Sequence, residues 1–328
     1  MRLPYFHYYS PKSLNSLFGI QEKVEGRAVI MAGGTELLNR MRFRLIEPEY
    51  VISLSNIKGL DRISISRDKG IEIGATAKLT DIACFFEAIK PYRAIYESAY
   101  QVASQQIRNM ATIGGNILQD TRCMFYNRSR QWQGIVPPCH KRGGNTCHAV
   151  RNSRRCFAVY QGDMAPVLIS LKAIAVFHSP YGDQEIPLED VFSGDSKKPF
   201  FVEDNRILVS VRINPSDDDL SSIYKKYRIR DGVDFPLAGV ALSLKRDRHI
   251  ISHLRLCLTG LAPRPIRVSD AEEIAQGERL TGHLIEKISE IAFNSVHPVD
   301  NLEESAKRRR FMAQQMVYDV LEEAARAL

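Results

Sequence analysis

The stretch GRAVIMAGGTELLNRMRFRLIEPEYVISL, residues 26–54, predicts the first structural unit of the chain. The apolar run at 29–32 has the length of a short buried strand, and it stops at a Gly-Gly pair. A helical pattern begins at Thr35, and residues 50–54 form a second strand. Because strands joined by a helical crossover favour parallel pairing, a parallel βαβ unit is expected here.

Two Gly-Gly pairs are candidate ligand-binding turns. At Gly33 and Gly34 the backbone can approach a ligand closely, and the N–H groups ahead of the helix suit a phosphate. The second pair lies in TIGGN, residues 112–116, beside the hydroxyl of Thr112 and the amide of Asn116, which suit an anion or a ribityl chain. Taken singly, each pair is more often a structural turn, and neither has the GxGxxG or P-loop spacing.

The other strand and helix patterns predict an α+β protein. Residues 61–75 alternate as a β-hairpin, and the polar segment 215–219 indicates a boundary between two domains, 1–216 and 217–328. Further strands are expected at 173–177, 207–213, 223–229, 237–245 and 250–259, and further helices at 79–88, 91–103, 268–276, 281–294 and 302–327. The first domain should therefore have two lobes, a small parallel βαβ lobe and a mixed or antiparallel sheet with helices. The second should be an antiparallel sheet with helices.

Four single features have ordinary interpretations. Asp163 opens a short apolar helix, where an N-cap is the usual role, although a ligand hydroxyl is an alternative partner. Cys84 and Cys257 lie in apolar segments and are interpreted as small buried hydrophobes. The basic run at 307–310 falls on the last helix and predicts a solvated or interface face rather than a nucleic-acid patch.

The segment TRCMFYNRSRQWQGIVPPCHKRGGNTCHAVRNSRRC, residues 121–156, is unlike the rest of the chain, and we call it the cysteine insertion. It contains eight Lys/Arg and no Asp or Glu, so its formal charge of +8 exceeds the +7 of the whole chain. With little aliphatic content it cannot build a core of its own. It holds four of the six cysteines: Cys123, Cys139, Cys147 and Cys156.

The spacing of these cysteines favours a metal site without deciding which one. Thiolates are ligands for zinc, Cu(I) and iron–sulfur clusters, but the CxxC pairs of structural zinc sites and the ferredoxin spacing are both missing here. Unpaired buried thiols are the alternative. The cationic surroundings favour a [4Fe–4S] cluster, whose net charge with four thiolates is roughly −2 when oxidised. His140 and His148 are possible substitute ligands, although loop surface positions are the simpler interpretation.

Length and composition narrow the class of protein. A chain of 328 residues is long enough for two or three domains, each with its own core. It has no apolar run of 18 residues and no apolar signal-peptide core, so we expect a cytoplasmic protein with no membrane partner. Because the basic excess is local, it indicates one local anionic neighbour, for which an acidic protein, a nucleic acid and a bound anionic cofactor are the candidates.

Three motifs in one order carry a family resemblance: AGGTEL at 32–37, TIGGN at 112–116 and GDMAPVL at 162–168. Together with KYRIR at 226–230 and the tail pattern at 298–309, they resemble the FAD-binding medium subunits of the xanthine dehydrogenase/carbon monoxide dehydrogenase family of molybdenum hydroxylases. Most members join the second and third motifs by a short connection. A four-cysteine insertion at this point is similar to that of 4-hydroxybenzoyl-CoA reductase β subunits, where the loop carries an extra [4Fe–4S] cluster.

The resemblance implies roles for individual residues. The FAD pyrophosphate is expected against backbone N–H groups of Ile30, Met31, Ala32, Gly33, Gly34, Thr35, Glu36 and Leu37. The flavin and ribityl chain are expected against Thr112, Ile113, Gly114, Gly115, Asn116, Asp163, the backbone of Val102, and Lys226 or its neighbour Lys225. The implied cluster ligands are Cys123, Cys139, Cys147 and Cys156.

The resemblance also implies a function without a catalytic residue in this chain. Electrons from reduced ferredoxin would pass by way of [4Fe–4S] and FAD to [2Fe–2S] clusters in a small subunit and a molybdenum pterin in a large subunit. The product would be benzoyl-CoA, and the assembly a dimer of heterotrimers. One alternative is the FAD subunit of an oxidative molybdenum hydroxylase. Another, from a different class, is a zinc-stabilised nucleic-acid-binding protein.

Overall fold

Three β-sheets and their covering helices make up the computed structural model, which describes residues 2–25, 27–203, 205–215, 220–301 and 303–326. The strands are β1 His7–Tyr9, β2 Ala28–Met31, β3 Tyr50–Ser53, β4 Ile63–Ser66, β5 Gly70–Gly74, β6 Ile174–Ser179, β7 Gly182–Pro187, β8 Ile207–Ile213, β9 Leu220–Tyr227, β10 Ala238–Asp247, β11 Ile250–Thr259 and β12 Ile266–Arg267. The helices are α1 Leu14–Lys23, α2 Leu37–Arg42, α3 Leu79–Phe86, α4 Arg93–Tyr100, α5 Gln105–Arg108, α6 Ile113–Ile117, α7 Arg130–Ile135, α8 Met164–Ser170, α9 Ser269–Ala275, α10 Gly282–Ser295 and α11 Ala306–Arg326.

The N-terminal lobe is a small parallel sheet in the order β1-β3-β2. The predicted βαβ unit is confirmed, because β2 pairs with β3 in parallel from Ala28 opposite Tyr50 to Met31 opposite Ser53. The sheet gains a third parallel strand, β1, which the sequence did not predict because all three of its residues are exposed and show no apolar alternation.

The second sheet is antiparallel, in the order β4-β5-β8-β6-β7. It contains the predicted hairpin, β4 with β5, and the two predicted strands β6 and β8. Strand β7, with the sequence GDQEIP, was not predicted because it is polar and largely exposed at the edge of the sheet. The α+β class with parallel and antiparallel sheets is as expected.

The third sheet is antiparallel, in the order β12-β11-β10-β9, and packs against α9, α10 and α11. Helix α8 lies between this sheet and the preceding part of the chain, since it contacts β10 and β11 as well as α4 and α6. Every residue of α8 is buried. The start of α8 is therefore held from several directions, and this fixes the position of Asp163.

The predicted domain boundary between residues 216 and 217 lies outside the described residues, so the division of the chain stays a prediction. Among the described residues, no helix is both long and apolar enough to cross a bilayer.

One prediction about a single residue is wrong, and the prediction about the basic run on α11 holds only in part. Cys84 is exposed, because the apolar face of α3 is formed by Leu79, Ile82 and Phe86 and leaves Cys84 on the opposite side. The basic run on α11 is not uniformly solvated, because Arg309 is 1% exposed. Cys257 is buried as predicted.

The Arg309 guanidinium joins three segments of backbone. Its Nε donates to the carbonyl of Leu237 at 3.1 Å, one terminal nitrogen to Val299 at 2.8 Å, and the other to Gly260. Burial lowers the pKa of Arg309 to about 10. These bonds tie the start of α11 to the start of β10 and to the turn after β11.

Replacing Arg309 with Met should lower the free energy of unfolding by about 3 kcal/mol, because three buried carbonyls lose their donor. The neighbouring Arg308, an exposed residue that pairs with Glu304, supplies the matched control Arg308→Met, which should change stability little. Urea unfolding followed by circular dichroism gives both values. Equal midpoints for the two variants would contradict the structural role of Arg309.

Candidate cofactor site

The first candidate motif lines a cavity of about 290 Å³. Every residue from Ile30 to Leu37 contributes to the wall, and Thr112, Gly114 and Gly115 of the second motif face it across the cavity. Strand β2 ends at the cavity and α2 begins beside it. The structure thus brings together the two Gly-Gly motifs, which are about 80 residues apart in sequence.

The turn at Gly33 and Gly34 leaves its backbone N–H groups free. Gly33 has to be glycine, since a Cβ there would lie 1.8 Å from the carbonyl oxygen of Met110, and Gly34 has a left-handed φ of +73°. Among the described residues, none accepts a hydrogen bond from the N–H of Gly33, Gly34, Thr35 or Glu36. Unpaired donors at a cavity wall are suited to an anionic group.

The TIGGN motif uses its backbone donors internally instead. The N–H of Ile113 donates to Ala77 O at 3.0 Å, that of Gly114 to Ala75 O at 2.9 Å, and that of Gly115 to the Thr112 hydroxyl at 3.2 Å. Ile113 does not line this cavity and packs in the core instead. The motif therefore supplies the shape of the wall rather than a row of free N–H groups.

A second cavity of about 190 Å³ continues the first, because the two share wall residues, among them Thr35, Glu36 and Gly115. Val102 and Asp163, both predicted as cofactor-binding residues, line this second cavity with Asn116. Asn116 has a second role, since its side-chain oxygen accepts a hydrogen bond at 3.0 Å from the N–H of Met164, the first residue of α8.

Asp163 is not an N-cap in the usual sense. It occupies the capping position of α8, but its side chain makes no capping hydrogen bond. One carboxylate oxygen accepts a hydrogen bond from the Tyr224 hydroxyl at 2.7 Å, and the Lys226 ammonium lies 3.1 Å from the same oxygen. Burial raises the pKa of Asp163 above its ordinary value, although Lys226 and Tyr224 oppose this effect.

Of the two candidate lysines, Lys226 and not Lys225 contacts Asp163. Alternation along β9 places the two side chains on opposite faces. The side chain of Lys226 is 0% exposed and also donates to the carbonyl of Gln101, whereas Lys225 pairs with Glu323 of α11. Lys226 is absent from the wall of the second cavity and reaches it through Asp163.

Several wall residues were missed by the sequence reasoning. Arg122 and Phe235 line the second cavity, where the guanidinium lies 4.2 Å from the centre of the ring and 2.9 Å from Glu36. Arg40 and Asp120 line the first cavity and pair at 3.1 Å. No local pattern identifies these pairs, since each joins residues that are distant in sequence.

The four cysteines of the insertion line one small cavity. Burial raises the pKa of the Cys123 and Cys156 thiols. Backbone N–H groups near each sulfur lower the same pKa. They belong to Phe125 and Tyr126 at Cys123 and to Ala158 at Cys156. No group of three His, Cys, Asp or Glu side chains in the described part of the chain is arranged to hold a single metal ion.

The insertion is attached to the cofactor cavities through its first residues. Arg122, next to Cys123, bridges to Val159 in antiparallel fashion and has its side chain in the second cavity. His140 and His148 also line the thiol cavity, but one ring nitrogen of each bonds to a backbone carbonyl, of Ser153 and Pro137 respectively. These bonds orient both rings as parts of the loop scaffold.

Two family models match the chain. "FAD binding domain in molybdopterin dehydrogenase" matches residues 4–216, and "CO dehydrogenase flavoprotein C-terminal domain" matches residues 222–324. The matches together extend over nearly the whole sequence, including the cysteine insertion.

The chain is also similar to characterised subunits. The aldehyde oxidoreductase FAD-binding subunit PaoB of Escherichia coli is 30% identical over 84% of this chain and 86% of its own. The carbon monoxide dehydrogenase medium chain of Hydrogenophaga pseudoflava is 26% identical over 98% and 97%. The solved carbon monoxide dehydrogenase of the same organism has a chain with the same fold, at a TM-score of 0.79 and 24% identity over 97% and 96% of the two chains.

Replacing Lys226 with Met should lower both stability and FAD affinity. The substitution leaves the buried Asp163 carboxylate without its cation, which costs about 3 kcal/mol of unfolding free energy. Lys225→Met is the adjacent control, and it removes only a half-exposed pair worth at most about 1 kcal/mol. Urea unfolding and flavin fluorescence titration measure the two effects. Identical behaviour of both variants would contradict the assignment of Lys226 to the site.

Proposed function

Because the chain belongs to the family of FAD-binding medium subunits of the xanthine dehydrogenase/carbon monoxide dehydrogenase type, we propose that it is the electron-transfer subunit of a 4-hydroxybenzoyl-CoA reductase. The overall reaction would replace the 4-hydroxyl group by hydrogen. Two electrons and two protons are consumed, and benzoyl-CoA and water are formed. The electrons would come from reduced ferredoxin. The observation that carries this proposal is the set of four thiols around one cavity, located beside the flavin cavities.

The two connected cavities fit FAD as a ligand. We assign the pyrophosphate to the first cavity, where the free N–H groups of the turn at Gly33 and Gly34 would bind its oxygens. We assign the flavin and ribityl chain to the second, where Asp163 would accept a hydrogen bond from a ribityl hydroxyl and Val102 would contact the ring. FAD exchanges electrons singly or in pairs, so it can join one-electron carriers to a two-electron reaction.

The cysteine insertion fits a [4Fe–4S] cluster as its organising group. Cys123, Cys139, Cys147 and Cys156 would each donate one thiolate. Such a cluster transfers single electrons, and N–H groups and positive charge near its sulfurs adjust its reduction potential. The backbone N–H groups beside Cys123 and Cys156 and the basic composition of the loop supply both.

The thiol cavity and the second cavity are lined by two consecutive residues of the chain. Cys123 faces the thiols, and Arg122, the preceding residue, stacks on Phe235 in the wall of the second cavity. The chain itself would hold no acid or base for the reaction on the substrate, and its residues would position the two cofactors.

The partners follow from the same proposal. The small subunit would carry [2Fe–2S] clusters and the large subunit the molybdenum pterin, in a cytoplasmic dimer of heterotrimers. Ferredoxins are acidic, and the exposed Arg151, Arg154 and Arg155 give the insertion a basic surface near Cys156. This charge complementarity supports the choice of donor.

A second candidate is the FAD subunit of an oxidative molybdenum hydroxylase, in which electrons leave through FAD to an external acceptor. The names of the relatives favour it, since they are dehydrogenases and an aldehyde oxidoreductase. The four-thiol cavity favours the reductase, because a cluster at that position has little use in an enzyme that discharges electrons from the flavin. The nucleic-acid alternative loses its support, since the family match spans the insertion.

Removing two of the four thiols tests the cluster. The variant Cys139→Ser/Cys147→Ser should lose the roughly four irons of the wild type and keep one FAD, because the flavin cavities contain neither residue. The exposed Cys84 provides the control Cys84→Ser, which should retain both cofactors. Iron and flavin are measured after anaerobic purification. Wild-type protein with flavin but without iron would sink the reductase proposal.

Neutralising the basic surface tests the electron donor. The triple change of Arg151, Arg154 and Arg155 to Gln should raise the KM for reduced ferredoxin about tenfold at low salt and flatten its salt dependence. The exposed Lys58 and Lys69, changed to Gln, are the control. Steady-state rates over a range of ionic strength give the comparison. If the triple variant keeps the wild-type salt dependence, ferredoxin does not dock on this surface.

A further inference from the structure

The single lysine of the cysteine insertion, Lys141, is buried and fully hydrogen-bonded. Its side chain is 4% exposed. The ammonium donates to Asp120 Oδ1 at 2.7 Å, to the Thr121 hydroxyl at 2.6 Å and to the Ser196 carbonyl at 2.7 Å, which uses its three protons. It also lies 5.2 Å from the centre of the Tyr126 ring. This lysine is therefore fixed in place, although it belongs to a loop without a core.

The Asp120 carboxylate connects Lys141 to Arg40. While Oδ1 accepts from Lys141, Oδ2 lies 3.1 Å from a terminal nitrogen of Arg40. Lys141, a residue of the insertion, is thus linked to Arg40 through Asp120.

Arg40 and Asp120 are wall residues of the first cavity. Arg40 Nε is buried and has no hydrogen-bond partner among the described residues, so the guanidinium keeps one unused donor. Asp120 by itself would repel an anionic ligand and would compete with it for Arg40. With the Lys141 ammonium on its other oxygen, the Asp120 charge is offset and Arg40 remains available.

We propose that Lys141 is a positioning residue that makes FAD binding depend on the cysteine insertion. Through Asp120 it orients Arg40 toward the diphosphate of FAD and compensates the negative charge at the cavity wall. The inference rests on the placement of the pyrophosphate in the first cavity. It does not require that the insertion hold a cluster, so it can be tested separately from the reductase function.

The same contacts imply that FAD binding also stabilises the fold of the cysteine insertion. Lys141 lines the four-thiol cavity as well as supporting Arg40 through Asp120. An insertion that loses its fold withdraws this support from the first cavity. Thermodynamic linkage then requires that bound FAD favour the folded insertion by the same free energy.

The test is FAD titration of the full-length chain, purified anaerobically, stripped of flavin and followed by flavin fluorescence. Lys141→Met should raise the Kd for FAD about tenfold, since it leaves Asp120 uncompensated. The exposed Lys58, changed to Met, should leave the Kd unchanged. Arg40→Met should also weaken binding, and adding Asp120→Asn to Lys141→Met should restore part of the affinity, because the lysine acts through Asp120.

Lys141→Gln serves as the second probe if Lys141→Met does not fold. It keeps a hydrogen-bond donor for Asp120 without the positive charge, and it should raise the Kd by a smaller factor. If Arg40→Met weakens FAD binding while Lys141→Met or Lys141→Gln does not, Lys141 has no positioning role and the placement of FAD stands. If Arg40→Met has no effect, the placement of the pyrophosphate is wrong and the inference fails with it.

Discussion

The buried pair of Asp163 and Lys226 is the interaction on which the cofactor site depends. Asp163 stands at the start of α8, a helix buried along its whole length, and Lys226 comes from β9 in the following sheet. Neither charge can be left alone in this environment without a large cost in stability. The second cavity therefore exists only where these two parts of the chain are packed together, and the Tyr224 hydroxyl completes the arrangement.

The cysteine insertion obeys a different constraint. It carries the net positive charge of the chain and has almost no aliphatic residues, so hydrophobic burial cannot order it. Specific polar contacts attach it to the rest of the chain, through Arg122 to Glu36 and through Lys141 to Asp120. A loop attached in this way places the four-thiol cavity near the second cavity without disturbing the sheets on either side.

Most strands with a buried face were predicted from the period that burial imposes, whereas helix α1, which buries Leu17 and Phe18, was not. Strands β2 and β3 were predicted from apolar runs, and the hairpin of β4 and β5 from alternation. Strands β1 and β7 were not, since exposed edge strands have no such pattern. The burial of Arg309 was not predicted, although the sequence indicates it. Arg309 lies four residues before the buried Ala313 and so falls on the apolar stripe of α11, but its charge led to the prediction of a solvated side chain.

The candidate site could be predicted only in part for a related reason. The glycine motif at 32–37 was recognisable because turn chemistry is local. The pairs of Arg122 with Glu36 and of Lys226 with Asp163 join positions more than 60 residues apart, and nothing in the local sequence indicates them. The choice between Lys225 and Lys226 needed only the alternation of β9, once the buried Tyr224 had fixed which face turns inward.

Anaerobic reductive titration of the wild-type protein, followed by visible and EPR spectroscopy, tests the central claim most directly. The account predicts one flavin and one [4Fe–4S] cluster per chain, with about four irons and a cluster signal that develops on reduction. It also predicts that the reduced cluster and the partly reduced flavin broaden each other's EPR signals, since their sites are neighbours in the fold. A flavin that titrates alone, with no iron in the protein, would contradict the account and leave a medium subunit of the oxidative type.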